Sequence, residues 1–589
     1  MSFRTLNIGA TALLTQQLAL DTVGHNIANA STPGYTRQRV ATQANLPDIK
    51  TFGAIGTGVG VLNIRRIADE FLEGQVREAV TLQSYLESKV QTYENLEAIF
   101  NELTENDVST YFDDFWNALG DVNNQVEDIS TRRAFANEAV VLADAFQGLD
   151  TKLRNMREWV NRNVVSSVAE INTLITEIAR LNQEILRAEQ GGTGPVVAND
   201  ARDQRTTRLK ELAGLLDIKV VEEENGSMVV SIGGRLLVFE NQFFRLATAQ
   251  ENSDDILIDV AVFESDQDEV DARGGRLCAL QELRDSIVMG YKEDIDRLAG
   301  RFLWEFNRIH SQGRGLTRYS RIQSTTQILN PTASLDELSY NFTPVSETYG
   351  IQNGNLELKV FNEVTGEETT LNIEIDLDGT AETDTIFYDA SVPPPARNNA
   401  LVNKIRNALE DRFSGLFTVS VDAYNRVTIE SSSSDYTFGF GRDASRVLAA
   451  LGLNTFFSGF DAGTIAVRSE YLDSPDYFAA ARSFEAGDNQ NAVALLQMRE
   501  TLLYNNRTAT VDDFYQGVVG RLGVEFGQTK NLLETQEDIL LRVENQREDL
   551  SGVNLDEELT RMIQFQRSYQ SAARFISVAN TLYDALMDI

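Results

Sequence analysis

The side chains best suited to chemistry are scarce. Two histidines, His25 and His310, and one cysteine, Cys278, stand in 589 residues. That inventory excludes every His- or Cys-rich zinc site and any internal disulfide. His25 lies in "HNIANASTPGYTRQ" (residues 25–38), with no cysteine, second histidine or carboxylate cluster beside it. General-base or metal chemistry needs such partners, so His25 reads as a polar residue at a packed interface. His310, in "FNRIHSQG", falls near a helix C-terminus, where a partial positive charge is favourable. Cys278 sits among apolar residues in "GGRLCALQEL" and reads as a small buried side chain.

Two further stretches imitate binding loops. "EIDLDGTAETDT" sets Glu374, Asp376, Asp378 and Gly379 at the spacing that opens a calcium loop. Its twelfth position is Thr385, not the bidentate Glu that loop needs, and the flanks alternate like strands, so a hairpin turn is expected. "FGAIGTGVGV" (52–61) is glycine-rich but lacks the Lys-Ser or Lys-Thr that would cradle phosphate. It reads as a flexible or strand-edge segment. No nucleophile–base pair is visible, so no catalytic, metal or cofactor-binding residue is expected, and the chain is not expected to be an enzyme. A soluble enzyme or binding module with its activity in 345–460 is the alternative from another class.

Lys and Arg total 52 against 88 Asp and Glu, a net charge of -36. Nucleic acid and anionic membrane surfaces would repel such a chain. No apolar run approaches ~18 residues, so no membrane insertion is expected. The N-terminal "MSFRTLNIGATALLTQQLALDTVG" is broken by Thr and Gln and has no small-residue cleavage site. The expectation is a cytoplasmic protein, or one exported without a cleaved signal.

The elements follow from periodicity. No proline lies between Pro47 and Pro195 or after Pro475. Val164, Val168, Ile171, Ile175, Ile178 and Ile185 mark one helical face, and "QGGTGP" stops it. Long helices are expected over about 66–190 and 475–589. Between them, "LLDIKVVEEENGSMVVSIGGRLLVF" alternates around Asn225-Gly226, a hairpin signal. A helix follows at about 276–311. A hairpin with Leu371, Ile373, Ile375 and Leu377 on one face, a helix in "ALVNKIRNALEDRF" and a strand pair in "LFTVSVDAYNRVTIE" make 345–460 an inserted α+β module. A module with its own core should be removable through a short Gly/Ser joint.

At the ends, Leu6, Ala10, Leu13, Gln17, Leu20, Gly24 and Ile27 step by four and three. So do Phe565, Tyr569, Ala572, Ile576, Ala579, Tyr583 and Leu586. Each is a heptad seam; Asn554 with Glu557 starts the second helix. Phe3, Ile8, Leu14, Leu18, Val578 and Leu582 add apolar surface beyond the seams, which a thin helix pair would need partners to cover. A pair packed on its own globular body fits the periodicity equally well. Thr32-Pro33-Gly34-Tyr35 suits a type II turn, with Pro fixing φ and Gly taking positive φ. With Asn29 it forms a hard helix stop and a sharp exit.

"HNIANASTPGYTRQRV" resembles the N-terminal signature of the bacterial flagellar rod, hook and hook-associated axial proteins. "SGVNLDEELTRMIQFQRSYQSAARFISVANTLYDAL" resembles the family's C-terminal signature. "ANDARDQRTTRLKELAGLLDIKVVEEENGSMVVSIGG", the stretch from "GGRLCALQELRDSI" to "IDRLAGRFLWEFNRIHSQG", and "EAGDNQNAVALLQM" are similar to the hook-associated members. A hook or distal-rod protein is the alternative within the family. The resemblance covers about 1–320 and 470–589 and does not clearly cover 345–460.

It implies an α+β multidomain chain. Residues 1–65 with 552–589 would form a coiled-coil inner domain. Residues 66–214 with 271–344 and 461–551 would form a long-helix domain, 215–270 a small β module, and 345–460 an outer module. It implies a secreted subunit of the hook–filament junction that forms a ring with copies of itself. Leu6, Leu13, Leu20, Ile27, Phe565, Tyr569, Ile576, Tyr583 and Leu586 would lie at the assembly interface. The hook protein and a neighbouring hook-associated junction protein would be partners, with an export chaperone at the C-terminal helix. No cofactor is implied.

Overall fold

A computed structural model describes residues 2–50, 53–100, 108–190, 197–253, 256–326, 350–375, 401–424 and 426–587. The chain opens with α1 (Ser2–Ala28), then β1 (Gln38–Ala44), β2 (Asp48–Lys50), β3 (Gly53–Ile55) and β4 (Val59–Arg66). Three helices follow: α2 (Glu70–Phe100), α3 (Val108–Asn124) and α4 (Ile129–Gln190). After α5 (Asn199–Leu215) come β5 (Lys219–Glu222), β6 (Met228–Ile232), β7 (Arg235–Phe239) and β8 (Gln242–Phe243). Then come β9 (Leu246–Ser253), β10 (Ile256–Phe263), α6 (Gly275–Glu282) and α7 (Val288–His310). β11 (Arg321–Gln323), β12 (Gly354–Asn362), β13 (Glu368–Ile375) and α8 (Leu401–Phe413) precede β14 (Phe417–Val421), β15 (Val427–Ser431) and β16 (Tyr436–Asp443). The last part holds α9 (Val447–Leu451), β17 (Phe457–Ser458), β18 (Ala466–Val467), α10 (Ser469–Asp473) and α11 (Gln490–Gln497). It closes with α12 (Val511–Ser551) and α13 (Leu555–Met587). This is an α+β multidomain fold. Among the described residues no helix is long and apolar enough to cross a membrane.

Two compact units share the chain: 1–93, 158–285 and 526–589 form one, and 94–157 with 286–525 the other. α2, α4 and α12 each contribute to both, so this division runs through the segments expected as one long-helix domain. The C-terminal helical stretch also starts later than 475: apart from short α10 and α11, continuous helix begins at Val511.

In the first unit, Val76, Ala79 and Val80 of α2 pack with Leu540 of α12, and Leu181 and Ile185 of α4 with Ala201 of α5. The apolar face of α4 from Val164 to Ile185 is buried, as its spacing requires. β5 to β8 form a four-stranded sheet in chain order. Its first turn carries Asn225-Gly226, with Gly226 at φ 83°. Asn225 Oδ1 accepts the Ser227 N–H at 2.8 Å, the local bond that makes Asn a turn residue.

In the second unit, β12 lies between β13 and β16, and β15 between β11 and β14. Leu356 faces Ile373 and Leu358 faces Leu371 in the β12–β13 register. The core of this module is not closed at residue 345. Trp304 of α7, Tyr319 and Ile322 belong to the same buried cluster as Leu356, Ile429, Phe438 and Leu448. Leu377, Asp376, Asp378, Gly379 and Thr385 lie outside the described residues.

Candidate functional site

The stretch 25–38 folds as a polar junction. Thr32 O accepts the Tyr35 N–H at 3.2 Å and Gly34 has φ 76°, the geometry of a type II turn. Asn29 Nδ2 donates to His25 O at 3.0 Å, closing the last turn of α1. A Cβ on Gly34 would come within 2.6 Å of Thr207 Oγ1. The turn therefore needs glycine for its φ and for its close approach to α5.

Beyond the turn, the backbone is held by side chains distant in sequence. Asn26 Oδ1 accepts the Gln38 N–H and its Nδ2 donates to Gln38 O, both at 2.9 Å. The same Nδ2 donates to Glu558 Oε2 at 2.9 Å. Glu558 is fully buried and its other oxygen accepts from Arg561 at 2.7 Å. Asp203 of α5 accepts the Thr36 N–H at 3.0 Å, the Thr36 hydroxyl, and Arg66 Nη1 at 3.1 Å. Burial lifts the Asp203 carboxyl above its ordinary range, against the pull of Thr36 and Arg66. Asn199 pairs with the edge of β4, accepting the Arg66 N–H at 3.1 Å and donating to Ile64 O at 2.9 Å. Arg37 N–H donates to Ser551 O at 2.8 Å, at the joint between α12 and α13.

His25 is exposed and edge-on to Tyr35. Burial first, then Asp200, Asp203 and Glu558, hold the Tyr35 hydroxyl above its ordinary value. It stays protonated and donates to Asn26 Oδ1 at 2.8 Å, so His25 Nδ1, at 3.0 Å, is the donor to it. Nothing here is aimed at a reacting centre. Asn26, Asp203, Asn199, Arg66 and Glu558 carry the junction. Gly34→Val should destabilise the chain by about 1–3 kcal/mol through strained φ alone. His25→Gln, losing one exposed hydrogen bond, should cost about 1 kcal/mol or less. Urea unfolding of both variants checks this order; a reversal would point to a role for the imidazole.

α1 packs along α13. On α13, Phe565, Tyr569, Ala572, Ile576 and Tyr583 are half-buried and Ala579 is buried. Leu586 has a side chain outside the described residues. The line on α1 is rotated from expectation. Leu6, Leu13, Leu20 and Ile27 are only half-buried, and Ala10, Gln17 and Gly24 are exposed. The buried positions are Gly9, Thr15, Ala19, Thr22, Val23 and Asn26. The cause is a second neighbour: α1 also packs on β1 and β4, and small side chains let it approach both. A Cβ on Gly9 would lie 2.5 Å from Ile576, and one on Gly58 2.5 Å from Thr11.

Three family models match the chain. The flagella basal body rod protein model covers residues 6–36, and the flagellar basal body rod FlgEFG protein C-terminal model covers 548–589. The model of the flagellar hook-associated protein FlgK helical domain covers 93–320. Flagellar hook-associated protein 1 of Bacillus subtilis is 25% identical over 100% of this chain and 98% of its own length. The Salmonella typhimurium protein of that name is 27% identical over 99% of both. The chain is similar over its whole length to flagellar hook-associated protein 1. The two terminal matches hold both halves of the junction: α1 with its turn, and Ser551, Glu558 and α13. The solved structure of the flagellar hook junction protein FlgK from Burkholderia pseudomallei aligns at 16% identity over 80% of this chain and 99% of that one, with a TM-score of 0.48.

The remaining candidates have structural environments. His310 is fully buried, not charged at a helix end. Its Nε2 accepts the Ala479 N–H at 3.0 Å, so Nδ1 carries the proton and donates to Asn454 O at 2.9 Å. Burial pushes its pKa down to about 3. Unfolded histidine binds its proton near pH 6.5. The stability His310 contributes is therefore present above pH 6.5 and lost as pH falls towards 3. The stability gap between the parent and His310→Gln should shrink by about 2–3 kcal/mol between pH 7 and 4.5, at ~1.4 kcal/mol per pH unit. Urea melts of both proteins at the two pH values test it. Cys278 is half-buried, not enclosed; burial and then Glu282 push its thiol up. The glycine-rich stretch supplies β3 and the start of β4. Among the described residues no group of His, Cys, Asp and Glu could hold a metal ion.

Proposed function

We propose that this chain is a structural subunit of the junction between flagellar hook and filament, polymerising through its terminal helices. One observation carries the reading. The α1–α13 pair leaves Leu14 64%, Val578 58% and Leu582 67% exposed, in elements that also carry the rod-protein matches. Apolar side chains beside a thin helix pair favour burial by neighbouring subunits. In this reading the paired termini form the coiled-coil inner domain, and Leu6, Leu13, Leu20 and Ile27 complete their burial between subunits with Phe565, Tyr569, Ile576, Tyr583 and Leu586. The subunit is secreted through the flagellar export channel, held beforehand by a chaperone on α13, and meets hook protein below and a second hook-associated protein above. The role is structural, without catalysis.

The test is electron microscopy of cells lacking the gene. Hooks without attached filaments, with filament protein in the medium, support the reading. Filaments attached as in the parent strain reject it.

A further inference from the structure

We infer that an arginine cluster around Glu305 docks a carboxylate-rich segment of a partner protein; this goes beyond the junction reading and does not depend on it. The cluster lies within the second unit. Arg301, Glu305 and Arg308 share one face of α7 at steps of four and three. The Glu305 carboxylate takes Arg308 Nε at 2.7 Å and Arg301 Nη2 at 3.5 Å. α9 packs on α7, and Arg446, the residue before it, reaches this face. The loop 505–508 closes between Tyr504 and Ala509, and the Tyr504 hydroxyl pins it to α7 by donating to Leu298 O at 2.8 Å. That loop carries Arg507. Burial first, then Arg308, with Arg301 and Arg507 acting the same way, hold the Arg446 guanidinium below its ordinary value; Glu305 pulls against them. Asp443, three residues before Arg446, is turned inward, accepting the Ser445 and Leu448 N–H groups at 2.9 and 2.8 Å. Four guanidiniums against one carboxylate leave three positive charges together, in a chain of net charge -36.

The fold itself gains nothing from this gathering. Among the described residues, neither the Arg446 nor the Arg507 guanidinium reaches an acceptor. Both residues sit on left-handed backbone, at φ 65° each, which arginine disfavours. Asn505 (φ 49°) and Asn506 (φ 57°) extend that conformation, so three successive residues turn left-handed and leave Arg507 exposed. Like charges on disfavoured backbone, with donors to spare, mark a binding surface. The donors define what binds. Guanidiniums take carboxylates with two prongs, and arginine clusters read acidic motifs. From Arg301 to Arg308 the patch runs ~10 Å along α7 at 1.5 Å per residue. One small anion does not span that length; carboxylates spaced along a chain do. Salt screens charges beyond ~8 Å, so a short acidic segment feels the patch, whereas a long nucleic acid would also lie along the acidic remainder of the chain.

The test titrates the purified full chain with a fluorescein-labelled hexaglutamate peptide, read by anisotropy at low salt. The variant combines Arg446→Asn and Arg507→Asn, because asparagine tolerates left-handed backbone. Arg412→Gln, at an exposed arginine of α8, controls for loss of charge alone. The peptide should bind the parent and Arg412→Gln alike, and the double variant at least tenfold more weakly. Arg507→Glu alone, at an exposed side chain without a partner, should weaken binding several-fold and keeps the test decisive if the double variant melts early. No binding by the parent, or equal binding by the Arg446 and Arg507 variants, overturns the proposal. Citrate competing as well as the peptide at equal carboxylate concentration would mean a site for a free small anion. A labelled hexathymidylate binding as tightly would mean that negative charge of any kind is read. Either result also overturns docking of an acidic protein segment.

Discussion

Asp203→Ala should lose about 3–5 kcal/mol of stability, the cost of removing one partner from a buried charged pair. Arg66 and Asp203 are both nearly buried, at 3.1 Å. Without the carboxylate, Arg66 keeps its charge inside the junction, and the Thr36 N–H and hydroxyl lose their acceptor. Thr36→Val removes only one hydroxyl bond and should cost about 1 kcal/mol. Urea unfolding of both variants tests the ranking. An Asp203→Ala midpoint within error of the parent would show that the junction does not depend on this carboxylate.

Removing 345–460 with a Gly/Ser joint should unfold the second unit, contrary to the expectation of a separable insert. The deletion would strip the cluster that buries Trp304, Tyr319 and Ile322. Fully burying a large apolar side chain contributes ~1.5–3 kcal/mol, so these three alone approach a typical total stability of about 5–15 kcal/mol. It would also remove Asn454, whose side chain donates to Ser311 O and Gly313 O and accepts from Tyr319. β11 would lose its partner β15. Circular dichroism melts and proteolysis check this. A deletion protein melting at the parental temperature would mean that the module has an independent core.

What was legible in the sequence was local. The type II turn at Thr32–Tyr35 and the Asn554 cap of α13, whose Oδ1 accepts from Asp556 and Glu557 N–H, need only neighbours in the chain. On α13 the half-buried and buried positions fall along one stripe of the helix, which a periodicity can show. The α1 seam was not legible, because α1 is shared between α13 and the β1–β4 pair, and small residues decide how closely it sits to each. That strand pair was itself hidden: "QRVATQA" shows little alternation. The junction's main acceptors lie 167 and 532 residues from their donors. Nothing in a linear pattern links Thr36 to Asp203 or Asn26 to Glu558.

The central claim is that neighbouring subunits cover the open side of the terminal helices. A single cysteine at Val578, in a Cys278→Ser background, reports on this directly through maleimide labelling. The purified monomer should label rapidly, since Val578 is 58% exposed. The same residue in intact flagella should be protected at least tenfold. Equal labelling in the monomer and in flagella that contain the chain would contradict assembly through this face.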